Sequence, residues 1–547
     1  MLLQTSYGQD LEFNGGVGVV DQRFGSDQVG VVASGGANLM QAVNLSLPSL
    51  GFSQGFNNEK IGLLLKLLSN SKALRNPPPS PSKLPIIGNL HQLGLLSHRS
   101  LQTLAQQYGP LMLLHLGSKP ALIVSSADAA REIMKTHDVN FATRPKSSIP
   151  MKLFYDKDVA FGSYGEYWRQ LRSICVFQLL NNKRVQSFRR VREEETSLLL
   201  EKIEQSSSSS VNLTEMLISL TNDVLCRIVL GKKYSEREGE RKLRELFRDF
   251  MEILAVFNVG EHIPWLAWLN SINGLNAKVE KVAKELDNFL EDAVEEHMDR
   301  LKPERDGGGN DEGREDFLDI LLGIQREKST SFPIHRDSIK GVILDMFAAG
   351  TETTYTTLEW EMIELLRHPK VMKELQNEVR GIAKGKEDIV EDDLEKMHYL
   401  KAVIKESMRL HPPIPLLIPR EAIKDVKVMD YDIAAGTKVF INAWAISRDS
   451  TLWEDAEEFQ PERFLNTSVD YKGQDFQFTP FGAGRRGCPG IHFAKSVYEL
   501  ALAKLVHKFD FALPDGAKGQ DMDMTEAPGI TLNRKNPLLV VATPYSC

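Results

Sequence analysis

Residues Phe481-Gly482-Ala483-Gly484-Arg485-Arg486-Gly487-Cys488-Pro489-Gly490 set one thiol among glycines and two arginines, just before a helical stretch. Glycines let a backbone approach a ligand closely and turn its N–H groups inward. Arginines and a helix amino terminus both favour a thiolate over its thiol, whose free pKa is about 8.5. A thiolate in such a nest suits a soft metal ligand, and one lone cysteine suits haem iron better than zinc. Three other readings stay open for this stretch taken alone. Gly482, Gly484 and Gly487 satisfy a dinucleotide fingerprint with Asp510 beyond, yet Pro480 stands where its strand should run. A phosphate-binding cysteine nucleophile would want Cys-x5-Arg, and the matching position is Ala494. The last is a structural turn with a buried cysteine.

The other cysteines narrow the setting. Cys175 and Cys226 lie in apolar helix-like runs, and Cys547 is the last residue. Without a CxxC pair, four thiols in 547 residues make no disulfide framework, so a reducing, cytosol-facing location is the simpler expectation. A formal net charge of −8 without long basic runs excludes a general nucleic-acid binder.

Residues 1–76 read as an atypical, disordered leader rich in Gly, Ser, Gln and Asn. Its best apolar run, Ile61 to Leu68, contains Lys66 and is too short to span a bilayer, though it suits an interfacial turn. Pro77-Pro78-Pro79-Ser80-Pro81 is a stiff extended segment, and residues 77–547 form one large domain. Short β runs are expected at Leu111 to Leu116 and Ala121 to Ser125, then mostly helix from Ala129. Ser338 to Arg367 reads as one long helix ended by His368-Pro369. A helix over Leu400 to Leu410 stops before Pro412-Pro413, with small strands near Val426 to Val428 and Val439 to Ile441. A last helix follows Cys488, from about Gly490 to Phe509. The pattern is mainly α with small β-sheets.

Five motifs then occur in a fixed order. Trp168-x3-Arg172, Ala349-Gly350-Thr351-Glu352-Thr353-Thr354, Glu406-x2-Arg409 and Pro461-Glu462-Arg463-Phe464 precede Phe481-x2-Gly484-x-Arg486-x-Cys488-x-Gly490. Together they resemble the cytochrome P-450 family, and the plant microsomal A-type in particular, over about residues 77 to 547. The resemblance implies the cytochrome P-450 fold and heme b (iron protoporphyrin IX). It makes Cys488 the metal ligand, within a turn of Phe481, Gly484 and Gly490. Arg486, Trp168 and Arg172 would reach haem propionates, and Arg420 is a further candidate.

Glu406 and Arg409 share a helix face, which on a surface contributes at most about 1 kcal/mol. With Arg463 as third partner they would form a buried structural network. Glu352 and Thr353 sit in an apolar helix, where Thr ordinarily bonds back to an i−4 carbonyl and an acid faces solvent. The family reading instead gives them proton delivery during O–O cleavage beside a local helix opening.

The implied activity is oxidation of a C–H bond of a small apolar plant metabolite (terpenoid, coumarin, phenolic or alkaloid), using O2 and electrons from NADPH-cytochrome P-450 reductase. Phe347, Ala348, Ile414 to Ile418 and Ile530 would line the pocket. The implied location is the cytosolic face of the endoplasmic reticulum membrane, with weak or anchored membrane contact. A haem-thiolate enzyme that rearranges peroxides, and a haem-binding protein without turnover, are the rivals. NADPH independence would mark the first, and substrate binding without product the second.

Overall fold

The computed structural model describes residues 75–206, 209–233, 240–300, 315–327, 333–386 and 388–545. Contacts gather Leu74–Cys547 into one compact unit. The Ile61 to Leu68 run and most of the leader lie outside the described residues.

The apolar runs Leu111–Leu116 (β1) and Lys119–Val124 (β2) pair antiparallel, with Leu111 opposite Val124. Gly117 makes their turn at φ +62°, where an added Cβ would meet the His262 carbonyl oxygen at 2.2 Å. Only glycine fits so close an approach. Arg420–Glu421 (β3) and Lys438–Ile441 (β4) complete a sheet of order β1-β2-β4-β3, β4 being parallel to β2. Val426–Val428, expected as a small strand, forms a hairpin with Tyr431–Ile433.

Helices form the bulk. Those that frame the site are Glu166–Ile174 (α1), Leu213–Leu230 (α2), Arg336–Gly350 (α3), Glu352–Arg367 (α4), His398–Leu410 (α5) and Ile491–Lys508 (α6). α4 packs against α2, α5 and α6, which explains why it is buried on nearly every side.

The single helix expected over Ser338 to Arg367 is two helices, and this corrects the periodicity argument. The α-helical run breaks at Thr351, with φ −78° and ψ −64°. Gly350 lies flush against Leu225 of α2, whose Cδ1 would stand 3.0 Å from an added Cβ. The Thr353 hydroxyl donates to the Ala349 carbonyl at 2.5 Å, across the break. A close crossing, a glycine and a hydroxyl that competes for a backbone carbonyl together loosen one turn.

Candidate functional site

The Cys488 turn is built by two left-handed glycines, Gly482 at φ +65° and Gly484 at φ +66°. Gly484 is pressed onto the chain at Met134 to Asp138, where an added Cβ would meet the Met134 carbonyl oxygen at 2.2 Å. Asp138 clamps the turn from outside. Its carboxylate accepts the Arg485 backbone N–H and guanidinium, the latter at 2.7 Å, and reaches Arg420 at 3.4 Å. Inside the turn, the Cys488 N–H donates to the Phe481 carbonyl at 2.9 Å. The Phe481 ring meets Tyr471 edge-on. Gly490, the residue before α6, donates its N–H to Cys488 Sγ at 3.3 Å.

Burial pushes the Cys488 thiol up, and the Gly490 N–H and Arg172 pull it back. The helix-terminus part of the thiolate argument therefore has its contact. The two neighbouring arginines do not act as expected. Arg485 is taken up by Asp138, and Arg486 points away into a cage of carbonyls. The cation that acts on the sulfur is Arg172, from α1, whose Nη2 donates to the Gly487 carbonyl at 2.5 Å.

Around this turn four guanidinium groups converge. Arg486 donates to the carbonyls of Ala142, Val159 and Gly162 and lies 3.9 Å over the Trp168 ring. Trp168 is buried, and its indole N–H donates to Val159 O at 2.9 Å. Arg420 donates to Ala483 O at 2.7 Å. Arg144, which no local pattern marked, donates to the carbonyls of Ala160, Ile418 and Pro419.

Burial lowers Arg486 to about 9, reinforced by repulsion from Arg420 and Arg172. Arg420 falls to about 10 mainly through burial. Burial also lowers Arg144, and Arg486, Arg420 and Arg172 add to that. The nearby acids answer little of this charge. Burial raises Asp158 to about 6, with Asp156 adding to it, and pushes Asp345 well above the carboxylate range, with Asp158 adding to that. Asp345 accepts the Val159 N–H at 2.7 Å, and Asp158 the Phe161 N–H at 2.6 Å.

Buried cations held largely on carbonyls want an anionic partner. One soft donor facing such a cluster fits a metal-bearing group with carboxylate arms. The donor set thus fits haem, with the thiol for the iron and the guanidinium groups for the propionates.

Glu352 and Thr353 belong to a second cluster. Glu352 Oε1 accepts the Asn533 side-chain N–H at 2.9 Å, so the acid does not simply face solvent. Burial pushes its carboxyl up, while Asn533 and Thr531 pull it back. The Thr353 hydroxyl makes the ordinary i−4 bond described above. Of the expected pocket residues, Phe347 is 2% exposed and stacks on Phe247 inside the core. Ala348, Ile414, Leu416, Leu417 and Ile530 are half-buried.

The third cluster is a closed network. Arg409 grips Glu406 with two bonds of 2.7 and 2.8 Å, and both side chains are fully buried. It also donates to the carbonyls of Ser447, Ala456 and Glu458. Arg463 Nε and the Gln460 N–H both reach Glu406 Oε1, at 3.0 and 2.9 Å.

Sequence spacing missed Arg144, Asp138, Thr531 and Asn533. Each acts only once a distant segment arrives, so no local signal was there to find.

The family model for cytochrome P-450 matches residues 78–541. The chain is 60% identical over 473 residues to cytochrome P-450 736A117 of Prunus mume, covering 86% of this chain and 90% of that relative. It is 54% identical to norfluorocurarine oxidase of a Strychnos species, covering 88% and 95%. A solved zebra fish cytochrome P-450 with abiraterone superposes with a TM-score of 0.69 at 27% identity, covering 83% of this chain and all of that one.

Proposed function

This chain belongs to the cytochrome P-450 family, and from that premise we propose how its own residues serve the reaction. The enzyme is a haem-thiolate monooxygenase of plant specialised metabolism, working with O2, an organic substrate and a redox-partner reductase. Haem, when bound, supplies the oxygen activation, and the protein supplies binding, orientation and protons.

The observation that carries the site assignment is the group of buried guanidiniums around a turn that presents one thiol. Cys488 Sγ would hold the iron of heme b, with the Gly490 N–H steadying the thiolate. Arg486, Arg172 and Arg420 would hold the propionates, and Trp168, beneath the Arg486 guanidinium, would add its indole N–H. Gly484 lets the turn pack flush, and Phe481 flanks the sulfur. Glu406, Arg409 and Arg463 hold the fold through their buried network. Glu352 and Thr353, at the helix break, pass protons inward during oxygen activation.

The electron donor is NADPH-cytochrome P-450 reductase. The substrate is a small apolar terpenoid, coumarin, phenolic or alkaloid. The Strychnos oxidase and a 3-beta-hydroxylase of Tanacetum parthenium among the relatives support that range.

Turnover with reductase and NADPH tests this reading. Thr353→Ala should keep haem and substrate affinity, because it removes no ligand and little apolar contact. Product per NADPH should fall by roughly tenfold, since a positioned proton donor is worth at least that much. Hydrogen peroxide should rise in its place, and Glu352→Gln should behave likewise. Unchanged partition between product and peroxide in both variants refutes the proton roles.

The enzyme works at the endoplasmic reticulum membrane, on its cytosolic face. Among the described residues no helix is long and apolar enough to cross a membrane. An apolar face supports contact instead. Trp265, Trp268 and Ile272 are 61%, 52% and 73% exposed, and Ile86 is 57% exposed. The β1–β2 turn ties these segments together, through Gly117 N–H to Ile87 O and Ser118 N–H to His262 O. Apolar side chains on one face suit the lipid interface. Replacing both tryptophans by serine in the full chain should weaken vesicle binding by roughly tenfold or more, since about 1.4 kcal/mol is tenfold. Binding equal to wild type would place the membrane contact elsewhere.

A further inference from the structure

The residues that order Glu352 lie on the loop that also presents Ile530. Its two legs close on each other, with Glu526 bridged to Arg534 and the Ala527 N–H on the Asn533 carbonyl at 2.8 Å. One leg is clamped by His98 and Arg99, which reach the Glu526 carboxylate at 2.9 and 2.6 Å. The other is laced to α4, where the Trp360 indole N–H donates to Leu532 O at 2.6 Å. The Leu532 N–H in turn donates to Pro413 O at 2.9 Å.

Asn533 stands where this lacing meets the acid. Its Oδ1 accepts the Thr356 hydroxyl, which turns the amide nitrogen towards Glu352. That nitrogen lies 2.9 Å from Glu352 Oε1 and 3.0 Å from Thr531 Oγ1. Thr356 sits one turn beyond Glu352 on α4, so the amide bridges two positions on one helix face. We infer that Asn533 is a positioning residue for Glu352: it holds the carboxyl in place beside the helix break and keeps it ionisable. The inference rests on Glu352 being the acid that handles protons.

The chemistry has a definite sign. Burial alone favours the neutral carboxyl, and the donors oppose it. Two ionisable groups, Tyr355 and Glu359, lie near it on α4. Tyr355 lies next to Glu352, and its phenol is pushed up chiefly by burial, then by Glu352 and Glu359. Burial pushes the Glu359 carboxyl up, and the Thr214 hydroxyl from α2 and Arg534 oppose it. Loss of the Asn533 donor therefore leaves Glu352 protonated to higher pH.

The experiment is an infrared titration of the full-length holoprotein, following the C=O stretch of the protonated acid. Glu352→Gln identifies that band by removing it. Asn533→Leu, close in size but without a donor, should raise the titration midpoint by about one pH unit. Thr356→Val frees the amide to turn and should shift the midpoint the same way by less. Thr356→Ser, which keeps the hydroxyl, should return it to the wild-type value. A midpoint unmoved by both Asn533→Leu and Thr356→Val overturns the inference. Should Asn533→Leu fail to fold, the Thr356 pair decides alone. The product-to-peroxide partition of Glu352→Gln tests the proton role itself, so the two can fail separately.

Discussion

Cys488→Ser should abolish the strongly red-shifted Soret band that reduced protein shows with carbon monoxide, whereas Cys175→Ser and Cys226→Ser should leave it intact. The red shift would report thiolate ligation, and serine offers only a neutral hydroxyl. The three described thiols differ in surroundings. Cys175 and Cys226 are fully buried, and burial pushes both thiols far up, so neither is a ligand poised to ionise. Arg172 acts on both Cys175 and Cys488, but the Cys488 sulfur takes the Gly490 N–H at 3.3 Å and is only partly buried. Loss of the band should be complete, because one bond is either made or not. Haem content, measured in parallel by pyridine extraction, should drop less than the band does, since the guanidinium cluster would still grip the carboxylate arms. A wild-type spectrum from Cys488→Ser would end the assignment.

What the sequence revealed depended on how far apart the cooperating residues lie. Glu406 and Arg409 are three apart on α5, and the Cys488 turn is ten consecutive residues, so both could be read from spacing. Arg463 joined them only through the order of the motifs, and its bond to Glu406 is now seen at 3.0 Å. Arg486 and Arg485 show the limit of local reading. They adjoin Cys488 in sequence, yet the left-handed glycines of the turn send both side chains elsewhere. The cation beside the sulfur comes from Arg172, whose bond to the turn joins residues 315 positions apart. The break at Thr351 was hidden for a related reason. Its apolar periodicity continues through, and only the close crossing of α2 at Gly350 shows why the helix yields.

Arg409→Leu should cost about 3–5 kcal/mol, the usual penalty for removing one partner of a buried ion pair. Domains are commonly stable by about 5–15 kcal/mol, so holoprotein yield should collapse while the encoded active-site residues remain unchanged. The geometry also distinguishes this network from a simple pair. Arg409 uses its donors on Glu406 and on three carbonyls, those of Ser447, Ala456 and Glu458. Replacing both charged partners of a simple buried pair by apolar residues is often neutral. Here Glu406→Leu combined with Arg409→Leu would still strand the carbonyls, and each buried acceptor left bare costs about 1–3 kcal/mol. The double variant should therefore recover only part of the lost stability. Arg463→Leu should be milder than Arg409→Leu, because its side chain is 11% exposed and Glu406 keeps its two bonds to Arg409. Denaturant midpoints of the three variants against wild type provide the comparison. A double variant as stable as wild type would show that the charges balance each other alone, and that the carbonyl bonds add nothing to the fold.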